Sequence, residues 1–279
     1  MIVCRFDDSR LLLVMQTDHS RAAGLLAAHW GNNEFARPQP YASMVLAAQE
    51  HDSGWWEWEI KPTLNAQGFP LDYIGSSKHL GRIWLDFYRH GIERVAEVDP
   101  YAAYNISMHG EGLLTQGMGL LPYMPDYSGD PDVQEFIRGQ KALRARLLED
   151  LRRNDQYRTR ASDEHLWTNF KMMEVFDQFA QFLCNRYPFD SKDRKNGPSN
   201  TLSNTPVPVE LGRSDTTLTV DVQDGSHAIV RPYPFDVDPL VVSFPARLVP
   251  DRSYGSQEEF LQHFYRADRM TVTYTLHAR

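Results

Sequence analysis

The sequence predicts a mainly α protein: a helical bundle with a small appended antiparallel β-sheet, α+β overall. Apolar residues recur at helical spacing through most of residues 16–189, which indicates amphipathic helices. Beyond residue 205 the pattern changes to short alternating or β-branched runs between turn residues, which favours strands. The polar segment 190–205, with Gly197 and Pro198, lacks apolar periodicity and separates the two regions.

The first 15 residues predict a β-hairpin. Residues 2–6 and 11–15 are rich in strand-forming side chains, and the polar segment 7–9 between them favours a turn. This hairpin could join the C-terminal sheet, because a two-stranded hairpin by itself is only marginally stable.

Residues 16–189 are expected to form one helical domain. Potential capping residues such as Thr17 and Asp18 mark helix starts, and glycines mark helix ends. The expected helices span residues 17–30, 41–51, 78–91, 100–114, 131–151 and 164–184. Residues 190–205 are expected to be a linker or exposed loop, and residues 206–279 a small β-rich unit. Within that unit, strands are expected at 217–222, 227–231, 240–248 and 270–276, and a helix at 256–265.

Composition and charge restrict the possible functions. Hydrophobic residues are 42% and charged residues 24% of the chain, the balance of an ordinary globular protein. The formal net charge of −8 argues against general nucleic-acid binding, which needs a basic face. Cys4 and Cys184 favour neither a disulfide framework nor a cysteine zinc site, and no export signal or membrane span is recognisable near the N-terminus. We therefore expect a cytoplasmic protein that does not bind membranes, while the oligomeric state stays open.

Several histidines and acids fall on apolar helix faces, where an unpartnered polar group costs several kcal/mol. His19 and His109 each share a face with alanine and large apolar residues, and His51-Asp52 ends an alanine-rich helix. Asp177 lies between phenylalanines on a helix that is apolar on most sides. These side chains must therefore find partners in the core.

A shared metal site would satisfy these groups together. Mixed imidazole and carboxylate ligands suit one or two divalent ions of manganese, iron, zinc, cobalt or nickel. The predicted ligands are His19, His51, Asp52, Asp177 and His109, and Asp52 is the expected catalytic ligand that bridges ions or orients the nucleophile. The alternative is a hydrogen-bonded core network of histidines and acids without a metal.

The order of these residues resembles the HD-domain superfamily of metal-dependent phosphohydrolases over roughly residues 16–185. More closely, five segments look like the bacterial domain of unknown function 3891: residues 16–20, Gly24, residues 51–55, residues 107–109 and residues 176–179. The superfamily resemblance implies an HD-domain-like helical bundle, with a histidine, a His-Asp pair and a late aspartate holding the metal. A histidine between the pair and the aspartate can extend such a site to two ions. The domain 3891 resemblance implies no substrate.

Phosphoester hydrolysis is the leading functional hypothesis, because a divalent ion acidifies its bound water and neutralises charge on phosphate oxygens. The expected substrate is a small phosphorylated metabolite or nucleotide. Lys78 and Arg82 could contact its phosphate and Trp55 could stack on its ring, although a solvated helix face and ordinary core packing also explain these residues. Two rival hypotheses keep the same fold: a di-iron oxygenase, and a degenerate domain that binds a ligand or partner without turnover.

Overall fold

The computed structural model describes residues 1–185, Tyr187 and 205–279. The predicted linker, residues 190–205, lies outside the described residues except for Thr205. Acidic caps start several helices. Asp99 and Asp130 each accept main-chain N–H groups of the following turn, and a proline occupies its first position. The helices are α1 (Gln16–His29), α2 (Tyr41–Glu50), α3 (Trp56–Glu59), α4 (Tyr73–Leu80), α5 (Ile83–Ala96), α6 (Pro100–Gly112), α7 (Pro131–Arg153), α8 (Asp163–Asn185) and α9 (Gln257–Arg266).

Four of these helices surround the part of the core that holds the predicted ligands. Helix α1 packs against α2 and α8, while α6 packs against the same two helices. Their inward faces are fully buried and include Ala23, Leu26, Ala47, Ile106 and Phe176. Burial of these apolar faces is the main force holding the four helices together.

A buried ion pair joins α6 to α7. Arg144 on α7 pairs with Glu111 on α6, and its Nη1 also donates a hydrogen bond of 2.8 Å to the carbonyl of Ser107. The Ser107 hydroxyl in turn donates to Gln140 at 2.8 Å. Because these polar groups satisfy one another on both sides of residue 109, they fix the part of α6 that carries His109.

The strands form a six-stranded mixed sheet in the order β1-β2-β5-β6-β4-β3. Helix α1 packs on β5. The strands β4 and β6 pair in parallel, and the other neighbours are antiparallel. The strands are β1 (Ile2–Arg5), β2 (Arg10–Val14), β3 (Thr219–Val222), β4 (His227–Arg231), β5 (Leu240–Pro250) and β6 (Asp268–His277).

The predicted fold class, a helical bundle with a small appended sheet, is wrong. The structure is about 48% helical, and its sheet curls into a half-barrel, so the molecule is a sizeable α+β domain. The sheet is large because β2 pairs with β5: Arg10 lies opposite Pro250 and Leu13 opposite Arg247. The N-terminal hairpin therefore joins the C-terminal sheet, as the sequence analysis allowed. Periodicity within a short window reveals a strand but does not specify which distant strand it pairs with.

The single helix expected at residues 78–91 is two helices, α4 and α5. The first helix ends at Gly81, whose φ is +55°. Glycine adopts this left-handed conformation without the steric cost that a Cβ would impose. The apolar periodicity of α5 continues to Ala96, beyond the predicted end.

Candidate metal centre

Four helices supply the predicted ligands. His19 lies in the first turn of α1, and His51 is the residue that ends α2, with Asp52 directly after it. His109 lies in the last turn of α6, and Asp177 lies in the second half of α8. All three imidazoles are almost completely buried, and the Asp177 side chain is 14% exposed, which leaves that carboxylate as the point nearest to solvent.

The structure brings the side chains of His19, His51 and Asp177 together. Asp177 Oδ1 lies 2.9 Å from His19 Nε2 and 3.3 Å from His51 Nε2. One ligand atom from each residue lies within 4.8 Å of the other two. Ligands about 2.0 Å from a tetrahedral ion are separated by roughly 3.3 Å, so this group has the dimensions of a coordination site.

Asp52 lies close to the Nε2 atoms of both His19 and His51. Its Oδ2 is 3.5 Å from His51 Nε2 and 3.8 Å from His19 Nε2. The amide of Gln16, in the first turn of α1, donates to the same oxygen at 3.3 Å. Gln16 therefore holds one oxygen of Asp52, and Oδ1 has no hydrogen-bond partner within the described part of the chain.

A main-chain contact orients His51. Its Nδ1 lies 2.8 Å from the carbonyl oxygen of Ala48, which can only accept a hydrogen bond. In the neutral ring the proton therefore sits on Nδ1 and the lone pair on Nε2, which faces Asp52 and Asp177. This is the orientation that metal-binding histidines adopt when their second nitrogen donates to a carbonyl.

His109 is held in the same manner by Glu174, which the sequence analysis missed. Glu174 Oε1 lies 2.7 Å from His109 Nδ1, and both side chains are buried. The free nitrogen, Nε2, points towards Asp177 and lies 3.9 Å from its Oδ2. Glu174 precedes Asp177 by three residues on an apolar helix, so its helical spacing could have identified it as a second buried acid.

Burial and charge act in opposite directions on these groups. Burial favours the neutral form of Asp177, but its contacts with His19 and His51 hold the pKa of this carboxyl well below its usual value. Burial also disfavours the charged form of His51, yet the carboxylates of Asp52 and Asp177 raise its pKa to about 9. The pKa of Glu174 is raised by burial, although the charge of His109 opposes the shift.

The donor set fits a divalent metal ion. Among the described residues, five buried atoms of the cluster have no hydrogen-bond partner: His19 Nδ1, His51 Nε2, Asp52 Oδ1, His109 Nε2 and Glu174 Oε2. A closed network of hydrogen bonds would satisfy such atoms, since each one left unpaired costs about 1–3 kcal/mol. A cation between His19, His51 and Asp177 would give His51 Nε2 a partner once this nitrogen has lost its proton.

The predicted substrate-binding residues have different surroundings in the structure. Lys78 is exposed on α4, and the exposed Arg82 pairs with Asp132 and Glu135 on α7. Trp55 is buried in an aromatic cluster with Trp58, Phe87 and Tyr88. Trp55 has a packing role, and the substrate contacts of all three residues stay predictions.

A family model described as "Protein of unknown function (DUF3891)" matches residues 1–251. The chain belongs to this family. No curated protein and no solved structure matches the chain. The match covers α1 to α8 and β1 to β5, and therefore every residue of the candidate centre. The resemblance to the HD-domain superfamily stays a prediction, and so do the metal and the reaction.

In the described residues of this DUF3891 protein, no helix combines the length and the apolar character needed to cross a bilayer.

Glu174→Gln should weaken metal binding about 10- to 100-fold, the usual effect of removing a carboxylate that orients a metal-binding histidine. The amide keeps the volume of Glu174 but loses the charge that holds the His109 imidazole. Competition with a chelator would measure the affinity. The matched control is Glu164→Gln, which changes an exposed acid in the first turn of the same helix. Equal affinities of the two variants would contradict a role of Glu174 in this DUF3891 centre.

Zn²⁺ binding at pH 7 should release about one proton per ion, because a metal-bound histidine must lose the proton from its coordinating nitrogen. The pKa of His51 is about 9, so its Nε2 is protonated at pH 7 in the metal-free chain. Apparent affinity should therefore increase with pH up to about 9. Calorimetric titration in buffers with different ionisation enthalpies counts the protons. A heat that is independent of the buffer would exclude His51 as a protonated ligand.

Proposed function

We propose that this chain is a metal-dependent phosphohydrolase that acts on a small phosphorylated metabolite or nucleotide. The observation that carries the proposal is the orientation of His51: its Nδ1 donates to the Ala48 carbonyl, and its Nε2, for which the described part of the chain offers no well-aligned hydrogen bond, faces the carboxylates of Asp52 and Asp177. Such a donor set, contributed by separate helices and shielded from water, favours a divalent ion over a structural hydrogen-bond network.

One or two ions of manganese, iron, zinc, cobalt or nickel suit these nitrogen and oxygen ligands. When bound, such an ion lowers the pKa of water and neutralises negative charge on phosphoryl oxygens. His19, His51 and Asp177 would hold the first ion. The order of these ligands along the chain, with Asp52 beside His51, also supports a relation to the HD-domain phosphohydrolases.

The chain's own contribution to the chemistry is proton handling and orientation by Asp52. Its Oδ2 is held by Gln16, and its Oδ1 is available to accept a proton from water. His109 lies on the other side of Asp177, and Glu174 stabilises its protonated form. Burial lowers the pKa of His109, but the charge of Glu174 raises it above its usual value overall, so the imidazole can carry a proton near Asp177 when it holds no ion.

The test is hydrolysis of p-nitrophenyl phosphate by the metal-depleted chain after loading with each of the five metals in turn. We expect turnover with at least one metal and a loss of about 100-fold or more in Asp52→Asn, which removes the proton acceptor but preserves the side-chain volume. The control Asp155→Asn changes an exposed carboxylate and should leave turnover unchanged. Metal-loaded protein without turnover on this ester or on a panel of nucleotides would contradict the proposal.

A di-iron oxygenase is the second candidate, because His109 could supply a ligand for a second ion. His109 Nε2 has no hydrogen-bond partner among the described residues and lies 3.9 Å from Asp177 Oδ2, so Asp177 could bridge two ions. Two iron ions per chain with consumption of dioxygen would support this candidate over hydrolysis. Metal binding without either activity would instead favour a non-catalytic binding protein.

A further inference from the structure

A cavity lies beside α1, and the described residues that line it include none of the candidate metal ligands. It encloses about 580 Å³ between the start of α1, α3, β5 and α9. We call it the arginine cavity, because its lining includes Arg21, Arg247 and Arg269. The aromatic residues of the lining are Trp56, Phe264 and Tyr265. Part of its wall, including Arg269 on β6, lies beyond the residues matched by the family model.

Two arginines face each other in this cavity. Arg247 on β5 and Arg269 on β6 are direct partners in the antiparallel register, and both line the cavity. Side chains at such positions lie about 5 Å apart at Cβ, and like charges there are destabilising. Burial lowers the pKa of Arg247, and the charge of Arg269 lowers it further. The pair is therefore an electrostatic cost to the fold unless an anion lies between the two side chains.

The acids that line the cavity do not neutralise this pair. Asp18 forms an ion pair of 2.9 Å with Arg21, although its charge also acts on Arg247. Glu59 accepts the main-chain N–H of Gln16 at 2.5 Å. Within the described ranges, neither Arg247 nor Arg269 forms an ion pair with any carboxylate. The cavity is thus lined by three guanidinium groups and by two carboxylates that already have other partners.

Arg247 is held in place before any ligand binds. Its Nη1 donates a hydrogen bond of 3.4 Å to the carbonyl of Phe264, and its guanidinium lies over the Phe264 ring, 4.7 Å from the centroid. A guanidinium has five N–H donors, so this contact leaves several free for an anion. Fixing the planar group beforehand reduces the entropy cost of binding.

Two aromatic side chains extend the cavity with flat apolar surface. Trp56 on α3 is 59% exposed, and Tyr265 on α9 is 53% exposed. The Tyr265 hydroxyl donates to the carbonyl of Ile60, directly after α3, so the two walls are joined. Ile60 is itself 47% exposed. These neighbouring apolar surfaces beside a positive pair suit a ligand that has both a ring and an anionic group.

We propose that the arginine cavity binds a small organic phosphate or phosphonate that carries an aromatic ring. Arg247 and Arg269 bind the anionic oxygens from two sides, and Trp56 and Tyr265 contact the ring. A tetrahedral dianion matches two opposed guanidinium groups, because it presents oxygens in several directions. This site is separate from the proposed hydrolytic centre and needs no metal.

The experiment is calorimetric titration of the chelator-treated full chain with phenylphosphonate, whose phosphorus–carbon bond a phosphohydrolase does not cleave. We expect one binding site, weaker binding of inorganic phosphate, which lacks the ring, and weaker binding of benzoate, which lacks the tetrahedral dianion. Arg269→Gln should reduce phenylphosphonate affinity at least tenfold. Its melting temperature without ligand should be unchanged or higher, since the variant relieves the like-charge pair.

The matched control is Arg213→Gln, which should bind phenylphosphonate like the parent chain. Arg213 is exposed and pairs with Glu210, three residues earlier. Trp56→Ala should weaken phenylphosphonate binding but leave inorganic phosphate binding unchanged. Parent-like affinity of Arg269→Gln would overturn the proposal, and so would equal affinity of the parent chain for benzoate and phenylphosphonate. Because the chain is metal-free throughout, these outcomes are independent of the hydrolase assay.

Discussion

His51→Ala should abolish stoichiometric transition-metal binding, reducing the metal content from about one ion per chain to near zero. The variant removes the nitrogen that lies between the carboxylates of Asp52 and Asp177, so the remaining ligands cannot close the site. Loss of one ligand from a site of three or four typically costs most of the affinity for the ion. Elemental analysis of the purified protein, beside the parent chain, measures the effect.

Two further variants make this result interpretable. His90→Ala removes an exposed histidine that pairs with Glu57 on the surface, and it should retain the parent metal content. Asp177→Asn keeps the volume of the carboxylate but not its charge, so it tests the site with little change in packing. It should also lose the ion. A full metal complement in both His51→Ala and Asp177→Asn, with native circular dichroism, would refute the proposed centre.

Gly54→Ala should lower the free energy of unfolding by about 3 kcal/mol or more, or prevent folding. A Cβ at this position would lie 1.7 Å from the carbonyl oxygen of Phe87 and 2.6 Å from its carbonyl carbon, both in the backbone of α5. Gly91 on the same helix also lies close to Gly54, because a Cβ on Gly91 would lie 2.9 Å from the Gly54 nitrogen. Neither backbone can rotate away as a side chain could.

Urea denaturation gives the free energy of unfolding, and Gly139→Ala is the matched control. Gly139 lies within α7 with no atom within 4 Å of a built Cβ, so alanine there should leave stability unchanged or raise it by about 0.5–1 kcal/mol. Because Gly54 follows His51-Asp52 by two residues, any folded Gly54→Ala protein should also bind metal more weakly. Parent-like stability of Gly54→Ala would mean that α5 and this turn are not in backbone contact.

Most of the helices could be predicted from local patterns. The starts of α6 and α7 follow from an aspartate before a proline, and the burial of His109 follows from its place among apolar residues on one helix face. The same reasoning identified Asp177 as a buried acid that requires a partner. Glu174 occupies an inward position on α8 three residues before Asp177, so the same helical spacing could have identified it as a second buried acid.

The pairing of the strands in the sheet and the arginine cavity could not be predicted from local patterns. The pairing of β2 with β5 joins residues about 240 positions apart, and no periodicity within either strand specifies that partner. Arg247 and Arg269 are unremarkable in the sequence, and only the register of β5 with β6 makes them face each other. The burial of Trp55 beneath Phe87 and Tyr88 likewise depends on the approach of α5 to the turn at Gly54.

Local patterns therefore sufficed to indicate the helices and to identify the polar side chains that require partners in the core, since helix periodicity and the cost of burial act residue by residue. Three features depend on contacts between segments far apart in the chain. They are the size of the sheet, the distances between His19, His51 and Asp177, and the position of Arg247 opposite Arg269. Those contacts are selected by the packing of the whole molecule, so they were decided only in the tertiary structure.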